Sequence, residues 1–174
     1  FDRSTLPYEL PPFDRIGNPD IAAALEAGMA QQKREIEQIA QNAAAPTFDN
    51  TIVAMERSGQ LLARASSVFG NLSASNTNPE LEQMQTYMAP KLSAHSDSIY
   101  LNAFLYARVK ALYEQRDRLP LDAESKRLLE RYQVMFVRAG ANLSDADKSR
   151  LREMNEQLST LTTQFRQAVL KGVN

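Results

Sequence analysis

The stretch SDADKSRLREMNEQLSTLTTQFRQAVL, residues 144–170, sets Leu151, Met154, Leu158, Leu161, Phe165 and Ala168 at alternating intervals of three and four. A helix turns once every 3.6 residues, so this spacing gathers the apolar groups on one face as an a/d seam more than two heptads long. Ser144 with Asp147 supplies a capping-box-like start, and Val169 and Leu170 carry the apolar pattern onward. The spacing predicts a long amphipathic helix that pairs with the preceding helix as a hairpin across a short connection. A long coiled coil is the other arrangement such a seam permits. A helix still amphipathic in its last turns also predicts a polypeptide longer than these 174 residues.

Working back from that helix, the same punctuation recurs. Leu121-Asp122 opens a helix with Leu128, Leu129, Tyr132, Met135 and Phe136 on one face, and Gly140 suits a left-handed C-terminal cap. Asn78-Pro79-Glu80 starts a helix through Leu81, Met84, Met88 and Leu92, in which Pro90 removes one backbone bond. Ile99, Leu101, Leu105, Val109 and Leu112 extend the apolar pattern, with Asn102 as a fresh cap and a close at Arg118 to Pro120. Asn18-Pro19-Asp20 starts the first helix, with Asn18 as cap and Ile21, Leu25, Gly28, Met29, Ile36, Ile39 and Ala43 on one face, and Pro46 stops it. Thr47 caps a second helix whose stripe runs Ile52, Met55, Gly59, Leu62, Ser66 and Phe69 without interruption. Gly59 is about 1 kcal/mol worse than alanine there, which the close approach of another backbone would explain. Gly70 and the polar residues 73–78 form the next turn. Residues 1–17, with Pro7, Pro11, Pro12 and Gly17, read as an irregular arm lying on a surface through Leu6, Tyr8, Leu10, Phe13 and Ile16. Residues 18–174 are the helical part. The fold class is all-α: antiparallel bundle or hairpins of five to six helices, with no sustained strand alternation.

Composition narrows the chemistry. The chain has no cysteine and one histidine, His95, so disulfides, iron–sulfur clusters and thiolate zinc sites are excluded, and no nitrogen/sulfur metal site can be built from this chain alone. Net charge is −1, which gives no overall field for nucleic acid or an anionic membrane; neither is expected as a partner. The charge is uneven: residues 1–100 carry 7 Lys and Arg against 12 Asp and Glu, and residues 101–174 carry 13 against 9. Complementary packing of the halves explains this; a basic wall facing a peptide or another domain is the functional alternative. No apolar run reaches the ~18 residues a membrane helix needs. The chain opens on Phe1 rather than Met, read as loss of an N-terminal piece; a removed signal peptide and a simple trimming of the terminus would look the same. Cytoplasm and periplasm fit equally.

Candidate chemistry is sparse. His95 with Asp97 has the residue types of a general base and its partner, but positions two apart on a helix do not face each other, which favours a helix-lining histidine. Asp145 and Asp147 sit at a helix start, where capping accounts for them better than acid/base work. Ser58-Gly59 lacks the preceding glycine of a nucleophile elbow, with Glu56 in its place. Tyr100, Phe104, Tyr106 and Tyr113 beside Arg108 and Lys110 suit core packing with hydroxyls at the rim; peptide binding or base stacking is the alternative. No residue is assigned as catalytic, cofactor-binding or metal-binding.

Nine segments in order carry a resemblance. They are Leu6-Pro7-Tyr8 with Phe13-Asp14; Ala27-Gly28-Met29; Pro46-Thr47-Phe48-Asp49-Asn50-Thr51-Ile52; Ala54-Met55-Glu56-Arg57-Ser58-Gly59 with Leu61-Leu62 and Val68-Phe69; Asp97-Ser98-Ile99-Tyr100-Leu101-Asn102; Arg108-Val109-Lys110-Ala111-Leu112-Tyr113; Leu121-Asp122; Arg138-Ala139-Gly140-Ala141; and Leu161-Thr162-Thr163-Gln164-Phe165. Together they resemble the N-terminal region of bacterial peptidyl-dipeptidases of the Dcp type, which are thimet-oligopeptidase-like zinc metallopeptidases. Asp97 to Asn102 favours the dipeptidase branch over the oligopeptidase A branch. The resemblance implies a parent hydrolase that releases C-terminal dipeptides from oligopeptides. It also implies zinc held by a His-Glu-x-x-His helix and a downstream glutamate. That motif does not occur in this sequence, so zinc is expected in the parent enzyme and not in this chain. The implied role is a non-catalytic helical wall of the substrate channel. The implied partners are the parent's own C-terminal catalytic part and oligopeptide substrates, with a fragment dimer through exposed apolar helix faces as a further expectation. A free-standing helical protein–protein interaction module is the alternative function.

Overall fold

Six helices of three turns or more follow one another in the computed structural model, which describes residues 4–173 without the side chain of Val173. They are α1 (Asn18–Ala40), α3 (Gln60–Ser75), α4 (Pro79–Tyr100), α5 (Ala103–Glu114), α6 (Ala123–Arg138) and α7 (Asp145–Val173), with the single turn α2 (Ala54–Arg57) between the first two. No strand occurs among the described residues, so the all-α expectation holds. Residues 1–3 of the expected arm lie outside the described residues.

The caps read from sequence are mostly in place. The carboxamide oxygens of Asn78 and Asn102 accept from the amides of Leu81 and Leu105 at 2.9 and 3.0 Å, and the Asp122 carboxylate accepts from Ser125 at 2.7 Å. The Ser144 hydroxyl accepts from the Asp147 amide at 3.1 Å. Gly140 is left-handed at φ +98°. Asn18 departs from expectation. The cap is Gly17, whose amide donates to the Asp20 carboxylate at 2.9 Å, and Asn18 instead donates to Glu80 at the start of α4 at 2.6 Å. A carboxylate is the stronger acceptor for the cap position.

The expected continuous second helix is broken. Thr47 and Asn50 form a reciprocal capping box at a π-helical turn, Phe48–Val53, which runs into α2. Ser58 is then extended and Gly59 left-handed at φ +70°, and α3 starts afresh. The glycine therefore answers a backbone conformation that costs an L residue about 1–2 kcal/mol. Close backbone approach occurs instead at Gly28, where a Cβ would lie 2.7 Å from Cα of Leu62 on α3. Gly70, expected in a turn, is inside α3, and the helix expected to close at Arg118 ends at Glu114.

Two apolar clusters result, at opposite ends of α1. Ile21, Leu25, Ala65 and Met88 form one, with Ile16, Met29, Leu62, Val68, Phe69, Met84 and Leu92 against it. Ile36, Ile39, Ile52, Met55, Leu105, Tyr106, Val109, Leu112, Leu129, Phe136 and Ala141 form the other. The expected stripe of the second helix is thus divided between them at Gly59. The arm reaches the first cluster through Ile16, while Leu6, Tyr8, Leu10 and Phe13 stay exposed.

The last helix is the main correction. α7 lies along α4 and not against α6, so the hairpin with the preceding helix does not form. Its inward side is polar. Asn155 donates to Asp97 at 2.9 Å, Gln167 donates to the Glu82 carbonyl at 2.8 Å and to Gln85 at 3.2 Å, and Lys171 pairs with Glu82 at 3.0 Å. Met154, Leu158, Leu161 and Phe165 face solvent.

Candidate functional site

Three polar assemblies and one apolar surface hold the residues with functional potential. The first assembly lies between the two apolar clusters. His95 Nε2 is 2.7 Å from Gln32 Oε1, the Gln32 amide reaches the Ser58 hydroxyl at 3.4 Å, and that hydroxyl donates to the Met55 carbonyl at 2.8 Å. Glu35 accepts the Gly59 amide at 2.7 Å, so a carboxylate on α1 caps the restart of α3 from 24 residues away. Burial, helped by the charge of Lys33, holds the His95 imidazole below its ordinary pKa. Its partner is an amide, and Ser58 spends its proton on a carbonyl. No nucleophile is activated here.

The second is Asp97, buried at 8% exposure between α4 and α7. One carboxylate oxygen accepts from Asn155, and the other has no hydrogen-bond partner. Burial pushes its pKa up, against the Asn155 hydrogen bond and the charge of Arg152. The structure does not bring Asp97 to His95; each turns to a different element. Asp145 and Asp147 are both exposed, and Asp147 engages Ser144, the capping role expected of it.

The third is Arg108, also 8% exposed. Its guanidinium donates to the carbonyls of Asn42 and Ala44 at 2.8 and 3.0 Å, to Asn50 at 2.9 Å and to the Thr51 hydroxyl at 3.3 Å. The planar fork suits such a set of acceptors. The guanidinium thereby clasps the loop after α1 to the turn before α2. Leu105, Arg108, Val109 and Leu112 share one stripe on α5, and an arginine inside an apolar stripe is the signal that marks this residue in the sequence.

The aromatic group serves packing. Phe136 has Tyr100 edge-on at 5.3 Å and Tyr106 stacked at 5.8 Å between centroids. The Tyr106 hydroxyl accepts from Gln133 at 3.1 Å, and Tyr113 lies under the Arg116 guanidinium at 4.4 Å. Tyr132 donates to Glu56 at 2.6 Å, and burial with that carboxylate raises its pKa. Phe104 is the exception, exposed to solvent. Among the described residues no group of three or more His, Asp or Glu side chains is placed to hold a metal ion. Among the described residues no helix is long and apolar enough to cross a membrane.

The apolar surface is the outward seam of α7. Met154, Leu158, Leu161 and Phe165 are 50, 62, 62 and 69% exposed, and Val169 and Leu170 continue them. Full burial of a side chain of this size is worth roughly 1.5–3 kcal/mol, so a large favourable term is left unused. Scattered exposed leucines are ordinary; a contiguous seam on one helix marks an interaction surface.

No family model matches the chain. Over 168 residues, 97% of its length, it is 45% identical to the dipeptidyl carboxypeptidase of Escherichia coli. It is equally similar, over 169 residues, to the dipeptidyl carboxypeptidase of Salmonella typhimurium. Identity to oligopeptidase A of Escherichia coli is 24% over 164 residues. The chain spans about a quarter of the length of each of these relatives. The resemblance carried by the nine segments is confirmed, and the identities agree with the preference of residues 97–102 for the dipeptidase branch.

Proposed function

We propose, from the kinship of this chain with the dipeptidyl carboxypeptidases, that it is a non-catalytic helical portion of a peptidase that removes dipeptides from the carboxyl ends of oligopeptides. It forms part of the wall of the channel that admits them. The observation that carries this reading is the 45% identity over 97% of the chain. The polar assemblies support it: the His95 and Arg108 groups are held by structural partners, and none of the three, Asp97 with its one unpartnered oxygen included, aligns a nucleophile with a base. A wall contributes by exclusion: it limits entry to short, unfolded peptides and leaves bond cleavage to groups elsewhere.

The zinc implied by the family resemblance does not fit the residues of this chain. His95 is its one imidazole and hydrogen-bonds to an amide, Asp97 faces Asn155, and among the described residues no group of three ligating side chains forms around either. Metal binding is therefore assigned to the part of the peptidase outside this chain, and no step of the reaction is placed on these residues.

The test compares two proteins on an N-blocked tripeptide with a free carboxyl group. One is this chain alone with added zinc; the other is Escherichia coli dipeptidyl carboxypeptidase with its aligned quarter replaced by this chain. The chimaera is expected to release the dipeptide and the isolated chain is not. Turnover by the isolated chain would overturn the non-catalytic assignment, and a folded but inactive chimaera would overturn the peptidase role. The exposed seam of α7 favours one other reading, a free-standing helical interaction module, and that reading gains if the chimaera folds and stays inactive.

A further inference from the structure

We infer that the outward seam of α7 is the docking strip for the rest of the peptidase polypeptide, received through a helix with its own apolar stripe; this rests on reading the chain as part of a longer peptidase. Three observations lead there. First, the seam cannot turn inward, since the opposite side of α7 is already held to α4 through Asn155, Gln167 and Lys171. Second, intervals of three and four over five turns match the ridge of another helix, which sets its knobs between such residues, whereas a strand presents alternate residues. Gln157, Thr162 and Gln164 along the seam are uncharged, while Glu153 and Glu156 border it beside Leu161, so the complementary helix suits a basic or neutral polar residue on that edge of its stripe. Third, the relatives supply the occupant. About three quarters of their length lies outside the matched segment, while this chain's own two apolar clusters are filled without using the seam.

The chain lacks cysteine, so Leu158→Cys and Phe165→Cys each introduce one reactive thiol, with Arg127→Cys on exposed α6 surface as control. Each variant is labelled with a small thiol reagent in the isolated chain and in the chimaera, and the modified peptide is read by mass spectrometry. Thiols at 158 and 165 are expected to react at least about tenfold more slowly in the chimaera, where reagent reaches them only through local opening. The control is expected to react equally in both. Equal rates at the seam in an active chimaera would overturn the docking and leave the peptidase reading standing. Protection in an inactive chimaera would do the reverse. Protection in the isolated chain that grows with concentration, alongside a doubled mass, would assign the seam to a second copy and overturn the proposal. Should a cysteine variant fail to fold, Leu158→Gln with Phe165→Gln gives a second readout. That pair is expected to lower the melting temperature of the chimaera and not of the isolated chain, and equal effects would count against the docking.

Discussion

Gly28 and Gly59 look alike in the sequence, each a glycine within an apolar helical stripe, and the fold uses them for different reasons. At Gly28 the neighbour is the backbone of α3, which cannot move aside for a methyl group 2.7 Å away. Gly28→Ala is expected to lose about 1–3 kcal/mol in urea unfolding through overpacking. Gly59→Ala is expected to lose about 1–2 kcal/mol from its left-handed backbone, and also to displace the Gln32 amide that meets His95. The break there is hidden in the sequence because Glu56, Arg57, Gln60 and Leu61 all favour helix. Glu35, distant in the chain, is what receives the Gly59 amide and makes a restart worthwhile. Two titrating groups give opposite pH dependences. Burial raises the Asp97 pKa, so the native chain holds that proton more tightly than the unfolded chain, and stability falls as pH rises above the usual aspartate range. Asp97→Asn is expected to gain about 1 kcal/mol at pH 7 and to lose that advantage at pH 3. Burial lowers the His95 pKa, so the native chain resists protonation and loses stability as pH falls below about 6.5, the ordinary histidine value. Thermal melts of wild type and His95→Gln between pH 7 and 5 are expected to diverge, with wild type falling faster.

Helix starts were legible at most of the local caps, with Gly17 in place of Asn18 at α1 as the exception. Asn78, Asn102, Asp122 and Ser144 each bond within three residues, so short spacing in the chain already specifies the contact. The neighbour of α7 was not legible. A periodic seam states which face is apolar, and says nothing of whether the surface that covers it belongs to the same segment. Polar residues at 155 and 167 could be read as a solvated face, yet they hold the helix to α4. Arg108 ties elements together at the same scale. Arg108→Met is expected to cost about 3 kcal/mol or more in urea unfolding, since it strands carbonyl and amide acceptors that lose a charged donor. Arg108→Lys is expected to recover little of that, because a single ammonium cannot span acceptors spread around a planar fork.

For the molecule as a whole, the division into two apolar clusters sets the next expectations. Replacing Met154, Leu158 and Phe165 together by glutamine is expected to leave the isolated chain's stability within about 0.5 kcal/mol, because these side chains contribute little to its own cores. A fall of several kcal/mol in thermal unfolding would show the seam to be packed. Between the clusters runs the layer of Gln32, His95 and Ser58, crossing α1, α4 and the restart of α3 at one level. The buried apolar residues fall into two separate clusters with no member in common across that level. The molecule therefore has a natural fault line, and amide exchange should sort its helical protons into two tiers that relax independently, one for each lobe, with the tier boundary falling at Gln32 on α1 and His95 on α4.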